Sequence, residues 1–390
     1  MPSGSSSSHH RHGSKHGMAS GLMSFFGGAR RAVAGDPSGS GGSSKRSGGG
    51  GLFPQTTPDV DGEACTRDCD SCTVKYPRHF KVEESHALYG RVKPWSTHVL
   101  VATSKSDWSR KVEDERGSVM EAFDSASKPS NGKLMLSASN MPTPSNTTDY
   151  SEPTTVLVLP AFTIVSNVTP GAVPTLISKY ISRAPTTGDP LASISLPATL
   201  PAHRPGAREM VARACPHRAL VLLCSHRTRD ARCGQSAPLI RKELERHLRP
   251  LGLDRDLDDE RPGGVGIYFV NHVGGHKYSA NMLIYRRPNA FGIDDVDRGS
   301  LAQGEELKIK DPVAQKAAPV EGEGEGDGEG NEDLQAEIED VGAGQCIWLA
   351  RVRPEDCENL VRYTILQGRV VKRDSQLRGG FDRSKGLASW

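Results

Sequence analysis

Aromatic residues are scarce in this chain, 5% of its 390 residues, and hydrophobic residues reach only 35%. The shortfall lies in Gly/Ser-rich and Gly/Glu-rich stretches, so the folded part is expected to be smaller than the chain. Net charge is nearly absent at +2, which removes a global field for nucleic acid or a membrane surface. No apolar run approaches the ~18 residues of a spanning helix, and the N-terminus lacks the apolar core of a secretory signal. No Cys-x-x-Cys sits between a first strand and its helix, which argues against thiol–disulfide exchange. Cysteine itself is plentiful, with eight residues. Without a secretion signal these thiols read as metal-binding or redox groups rather than a disulfide framework, in a chain expected to be soluble and intracellular.

The chemistry concentrates between Ala219 and Tyr285. Cys224 and Cys233 enclose eight residues, and His272 and His276 enclose three, two of them Gly274 and Gly275. Each pair follows an apolar run that reads as a strand, Ala219–Leu223 and Val265–Val270, so both pairs are delivered to one end of a sheet. Two soft thiolates and two imidazoles form a four-ligand metal site suited to iron–sulfur or zinc. Zinc knuckles usually space their ligands two to four residues apart. The wide Arg-rich gap (Arg227, Arg229, Arg232) suits a larger, two-iron object, and the glycines let backbone approach it.

The spacing C-x8-C followed by H-x-G-G-H-K resembles the sucrase/ferredoxin-like family, most closely its actin-patches-distal branch of thioredoxin-like ferredoxins. The resemblance runs from about Asp59 to Trp390. It implies a [2Fe–2S] cluster on Cys224, Cys233, His272 and His276, with two thiolates on one iron and two imidazoles on the other. Its potential is then expected above that of an all-Cys ferredoxin, in the Rieske-like direction, and to fall with pH as bound imidazole loses its outer proton. Lys277 and the Arg-rich loop are placed to bond the cluster sulfurs or to attract an acidic partner. The function implied is electron transfer or redox homeostasis, rather than catalysis of group transfer. The alternative is a zinc-binding structural module on the same four residues. Nothing supports the sucrase of the family name, since no carboxylate pair stands out as placed for glycoside hydrolysis.

The expected fold class is α/β, two tandem thioredoxin-like domains, of which only the C-terminal one is a ferredoxin. Residues 1–58 form a Ser/Gly-rich disordered tail, 59–205 the first domain, 206–375 the second and 376–390 a tail ending in Trp. In the first half HVLVAT, LMLSAS and TTVLVLPAFTIV read as strands and Asp107 to Phe123 as a helix. A second helix starts at Pro170. The second half repeats the plan with strands at 219–224, 265–270 and 281–285 and a helix at Pro238–Leu248. A last strand then leads into a helix at Pro354, and Val168-x-Pro170 aligns with Val352-x-Pro354. Ser104 and Lys105 stand where the second half has Cys224, so the first half reads as degenerate. The acidic, Gly-alternating insertion, about 288–344, reads as a disordered loop.

Cys65, Cys69 and Cys72 (CTRDCDSC) offer metal-ligand spacing with no fourth ligand in view beyond nearby His79 and His86. At the other end, Ser389-Trp390 resembles the C-terminal tripeptide by which clients dock the cytosolic iron–sulfur targeting complex, with Ala388 smaller than usual. This favours a cytoplasmic protein. Arg30 and Arg31, in an N-terminus whose first acid is Asp36, leave a mitochondrial alternative.

Overall fold

The computed structural model describes residues 51–298, 308–309 and 340–390. Strands form where the sequence runs apolar without interruption, the pattern of strands buried on both faces. β1 (Thr97–Ala102) and β7 (Ala219–Cys224) are buried at all six positions. In the first half β1 pairs in parallel with β2 (Leu134–Ser139) and antiparallel with β3 (Thr154–Leu159), which pairs with β4 (Thr163–Val168). The second half repeats these pairings: β7 with β9 (Val265–Val270) in parallel, and with β10 (Met282–Arg286) antiparallel, followed by β11 (Gln345–Leu349). One sheet joins the halves through a single residue pair between β2 and β9, Ser139 with Val270. It is extended at one end by β6 (Met210–Ala214) and β5 (Thr199–Leu200), and at the other by β12 (Leu377–Asp382) and β13 (Leu387–Ser389). The short β8 (Asp254–Arg255) lies beside β9.

Alternation along the strands divides the core. Val99 and Val101 enter one cluster, Val221 and Leu223 a second, and Leu100 and Leu222 enter a third that both halves share. His98 on β1 shows how the shared layer closes. Its ring nitrogens lie 2.9 Å from the Tyr285 hydroxyl on β10 and 2.9 Å from the Ser137 hydroxyl. β10 and β1 stand four places apart in the sheet, about 19 Å if it were flat. The sheet therefore curls so that its two halves face each other.

The helices depart from expectation for local reasons. After the short α1 (Pro58–Asp61), the helix expected over 107–123 shrinks to α2 (Val119–Ser125) behind a 3-10 turn at Val112–Asp114. Gly117 takes a φ of 74°, and the Ser118 hydroxyl accepts the Glu121 N–H at 3.0 Å, so the helix starts there. The Pro170 and Pro354 starts are observed, as 3-10 turns leading into α3 (Val173–Lys179) and α5 (Cys357–Asn359). α4 begins seven residues before Pro238, at Ala231–Leu248, because Asp230 caps it by accepting the Arg232 N–H at 3.0 Å. The helix runs through Pro238, and Cys233 consequently sits in its first turn.

Three expected boundaries move inward. Leu52 and Phe53, placed in the N-terminal tail, are buried, and Gln55 bridges Val370; residues 1–50 of that tail lie outside the described residues. At the insertion's flanks Ala290, Phe291, Ile293 and Ala343 are core, leaving 299–307 and 310–339 outside the described residues. The stretch expected as a C-terminal tail supplies β12 and β13, and the Trp390 ring packs on Trp95 with centroids 4.2 Å apart. Trp95, Trp348 and Phe381 already bury an apolar face there, and Trp390 completes it. The segment 59–92, expected in the first domain, lies on the second half: Tyr76 donates to the Val352 carbonyl at 2.7 Å and Gly90 N–H to that of Arg378 at 3.0 Å.

Candidate metal centre

β7 ends at Cys224 and α4 begins just before Cys233, so the eight-residue gap is a short loop followed by a helical turn. β9 ends at Val270 and delivers His272 beside them. The ligand atoms of Cys224, Cys233 and His272 lie within 4.8 Å of one another. Cys224 Sγ is 3.8 Å from His272 Nδ1, and both thiols are buried. His276 stands apart from this compact group, its ring centroid 5.2 Å from that of His272. Three of the four residues singled out in the sequence thus converge, with the fourth as their neighbour.

The two thiols are hydrogen-bonded to each other. A hydrogen bond from Cys233 holds the Cys224 thiol below its usual range, and the same bond, reinforced by burial, pushes Cys233 up. Burial and the neighbouring His272 lower His276, which keeps its imidazole neutral and available as a donor. Two thiols joined by a hydrogen bond, beside neutral imidazole, make a soft donor set that fits iron–sulfur or zinc.

The walls of the site were not evident in the sequence. His226 donates from Nε2 to the Trp108 carbonyl at 3.0 Å, because a carbonyl can only accept; its Nδ1 then accepts the His272 backbone N–H at 3.2 Å. One imidazole in a fixed tautomer so ties the first half to the histidine loop. Asp107 holds the cysteine loop from the same side, accepting the Thr228 N–H at 3.0 Å and its hydroxyl at 2.8 Å. Opposite, Arg378 of β12 donates to the Gly274 carbonyl at 3.0 Å and to Asn281 Oδ1 at 2.7 Å, above the Trp348 ring. Gly274 and Gly275 take φ of 94° and 74°, and a Cβ on Gly275 would meet the Arg378 guanidinium at 2.9 Å. Two arginines of the Arg-rich loop face elsewhere, while Arg229 turns to the cleft beside His272. Arg232 forks onto its own cap, Asp230, at 2.9 and 2.8 Å, and Arg227 lies 3.6 Å from Asp107. The Lys277 ammonium sits 5.0 Å from the Tyr278 ring.

A cleft of about 520 Å³ opens beside His272, with Trp95 and Trp348 in its lining. Arg91, Lys93, Lys133, Arg229 and Arg378 line it, and none of its lining residues is acidic. No helix among the described residues is long and apolar enough to cross a membrane.

The sucrase/ferredoxin-like family model matches residues 88–379. Actin patches distal protein 1 of Saccharomyces cerevisiae is 34% identical over 250 residues, 58% of this chain and 73% of that protein. Altered inheritance of mitochondria protein 32 of Clavispora lusitaniae is 29% identical over 156 residues, 40% of this chain and 33% of that protein. Its counterpart in Debaryomyces hansenii is 38% identical over 66 residues, 17% and 20% respectively. This chain therefore spans a third or less of those two relatives. No solved structure matches it.

Proposed function

The chain belongs to the sucrase/ferredoxin-like family, and from that premise we propose that it is a one-electron carrier. Its [2Fe–2S] cluster would be held by Cys224, Cys233, His272 and His276. The observation that carries this reading is the convergence of two buried thiols and an imidazole within 4.8 Å, beneath a cleft lined by cations. The repeated strand order supports two tandem thioredoxin-like halves, the second holding the ligands.

When bound, the cluster supplies storage for a single electron, at a potential raised because neutral imidazole gives less charge than thiolate. The chain's own residues do the rest. Cys224, whose thiol is held below its usual range by the hydrogen bond from Cys233, would be the first of the pair to ionise when the group binds. His272 turns Nδ1 toward Cys224, which leaves Nε2 to carry a proton that can leave on oxidation. His226 and Arg378 hold the histidine loop by hydrogen bonds and would fix the orientation of its ligands around the bound group. The five cations of the cleft favour a redox partner with an acidic face.

A second reading keeps the same residues as a zinc module. It is favoured by the compactness of Cys224, Cys233 and His272, which suits one small ion without His276. Iron, acid-labile sulfide and zinc assays on one oxygen-free preparation separate the two. Two irons and two sulfides per chain, lost in Cys233→Ser, are expected. A colourless protein with one zinc per chain, refractory to cluster reconstitution, would establish the zinc module instead.

For the cytosolic targeting complex to take Ser389-Trp390, the Trp390 ring must first leave Trp95. The name altered inheritance of mitochondria protein 32, carried by several relatives, favours the mitochondrial alternative to the cytoplasm. Cell fractionation decides between the two compartments.

A further inference from the structure

The cysteines at 65, 69 and 72 lie far from the centre just described, and the fold gives them unequal surroundings. Cys65 is fully buried beside Tyr363 and Val371. Cys69 and Cys72 form a tight turn, Cys72 N–H donating to the Cys69 carbonyl at 3.3 Å, and the Cys69 N–H is pinned to the Glu355 carbonyl at 2.9 Å. The partners missing from the sequence pattern come from the second half. The ligand atoms of Cys69, His247 of α4 and Glu358 of α5 lie within 4.8 Å of one another. His86, a candidate by sequence proximity, instead lies 3.4 Å from Glu83.

These donors already converge on a positive charge. Arg246 reaches Cys69 Sγ at 3.5 Å and His247 Nε2 at 3.0 Å, while its Nε donates at 2.8 Å to Glu243, whose side chain is 1% exposed. Because guanidinium only donates, His247 must present a bare Nε2 lone pair, the form in which imidazole binds metal. Thiol, imidazole and carboxylate thus point at one place, with a buried carboxylate beside them. A Cys-x2-Cys turn with a His has the spacing of structural zinc, and a carboxylate oxygen is a ligand that zinc also accepts. Arg246, 39% exposed, has solvent to swing into.

We propose that Cys69, Cys72, His247 and Glu358 form a second metal site, for a single zinc ion. Cys72, one turn from Cys69, supplies the fourth donor by releasing the Val74 carbonyl, to which its thiol donates at 3.2 Å. The ion staples the segment after α1, which has little regular structure, onto α4 and α5, and so closes the N-terminal strap over the ferredoxin-like half. This site shares no residue with the first centre, so it stands whether that centre holds iron or zinc.

The test counts zinc in the full chain by competition with a chromophoric chelator. In protein carrying Cys224→Ser and Cys233→Ser, one tight zinc per chain is expected, and adding Cys69→Ser with His247→Ala should remove it. In the otherwise native chain, that second pair should lower zinc by one per chain and leave the iron content and visible spectrum unchanged. Arg246→Ala removes the competing cation while keeping every donor, so it should tighten zinc binding about tenfold. Zinc content indifferent to Cys69→Ser and His247→Ala, or weaker binding in Arg246→Ala, would overturn the site and leave Arg246 as the structural cation.

Discussion

Replacing Arg378 by Met costs about 3 kcal/mol of stability and weakens metal binding ten- to hundredfold. The guanidinium is 5% exposed, and burial lowers its pKa to about 10, which still leaves it charged at neutral pH. It is the donor that fixes the Gly274 carbonyl and Asn281 Oδ1, and Asn281 in turn donates to the Gly275 carbonyl at 3.1 Å. Met fills the volume above Trp348 but donates nothing, so the Gly274 carbonyl is left unpaired and the histidine loop loosens. Arg378→Lys should recover only part of the loss: both bonds come from Nη1, and a shorter ammonium must reach the two acceptors without the guanidinium plane over Trp348. Urea titration reads the stability and metal competition the affinity. A fully stable Arg378→Met protein with native metal affinity would remove this residue from the site.

Acid should destabilise the fold well above the carboxylate range. His98 is fully buried, and burial pushes its pKa down to about 3. Burial likewise lowers His217, which bonds the Tyr268 hydroxyl at 3.1 Å, to about 4. The unfolded chain titrates near the ordinary histidine value of ~6.5. Above that pH neither state is charged and nothing is lost. Below it, the unfolded chain takes up protons that the native state refuses, and stability falls continuously toward the folded values. At pH 5 each histidine removes about 2 kcal/mol, about 4 kcal/mol for the pair. Urea midpoints at pH 7 and 5 measure the loss, and His98→Gln should abolish its share. Equal losses in the native chain and in His98→Gln would contradict the assignment.

Arg378 and the two buried histidines carry roles with no local signature in the sequence. Apolar runs at 97–102, 219–224 and 265–270 announced strands because both their faces are buried, and the Pro170 and Pro354 starts announced helices because Pro suits a first turn. The metal-ligating residue types stood out by chemistry and by the glycines between the histidines. Arg378 and His226 did not, because a buried arginine acting on a loop 104 residues away has no local signature. The same holds for His247, which faces Cys69 only after α4 has folded against the N-terminal strap. Pro238 misled for the opposite reason: it resembles a helix start, while the true cap is Asp230, eight residues earlier. Trp390 likewise read as a free anchor because its partner, Trp95, lies almost the whole folded chain away.

The account's central claim is mixed thiolate and imidazole ligation, and histidine nitrogen is its most direct reporter. The measurement is pulsed electron paramagnetic resonance on dithionite-reduced protein labelled with 15N-histidine. Two strongly coupled histidine nitrogens are expected, falling to one in His272→Cys and one in His276→Cys with the cluster retained. A reduced cluster with no coupled histidine nitrogen would place the iron on cysteines alone and contradict the assignment of His272 and His276.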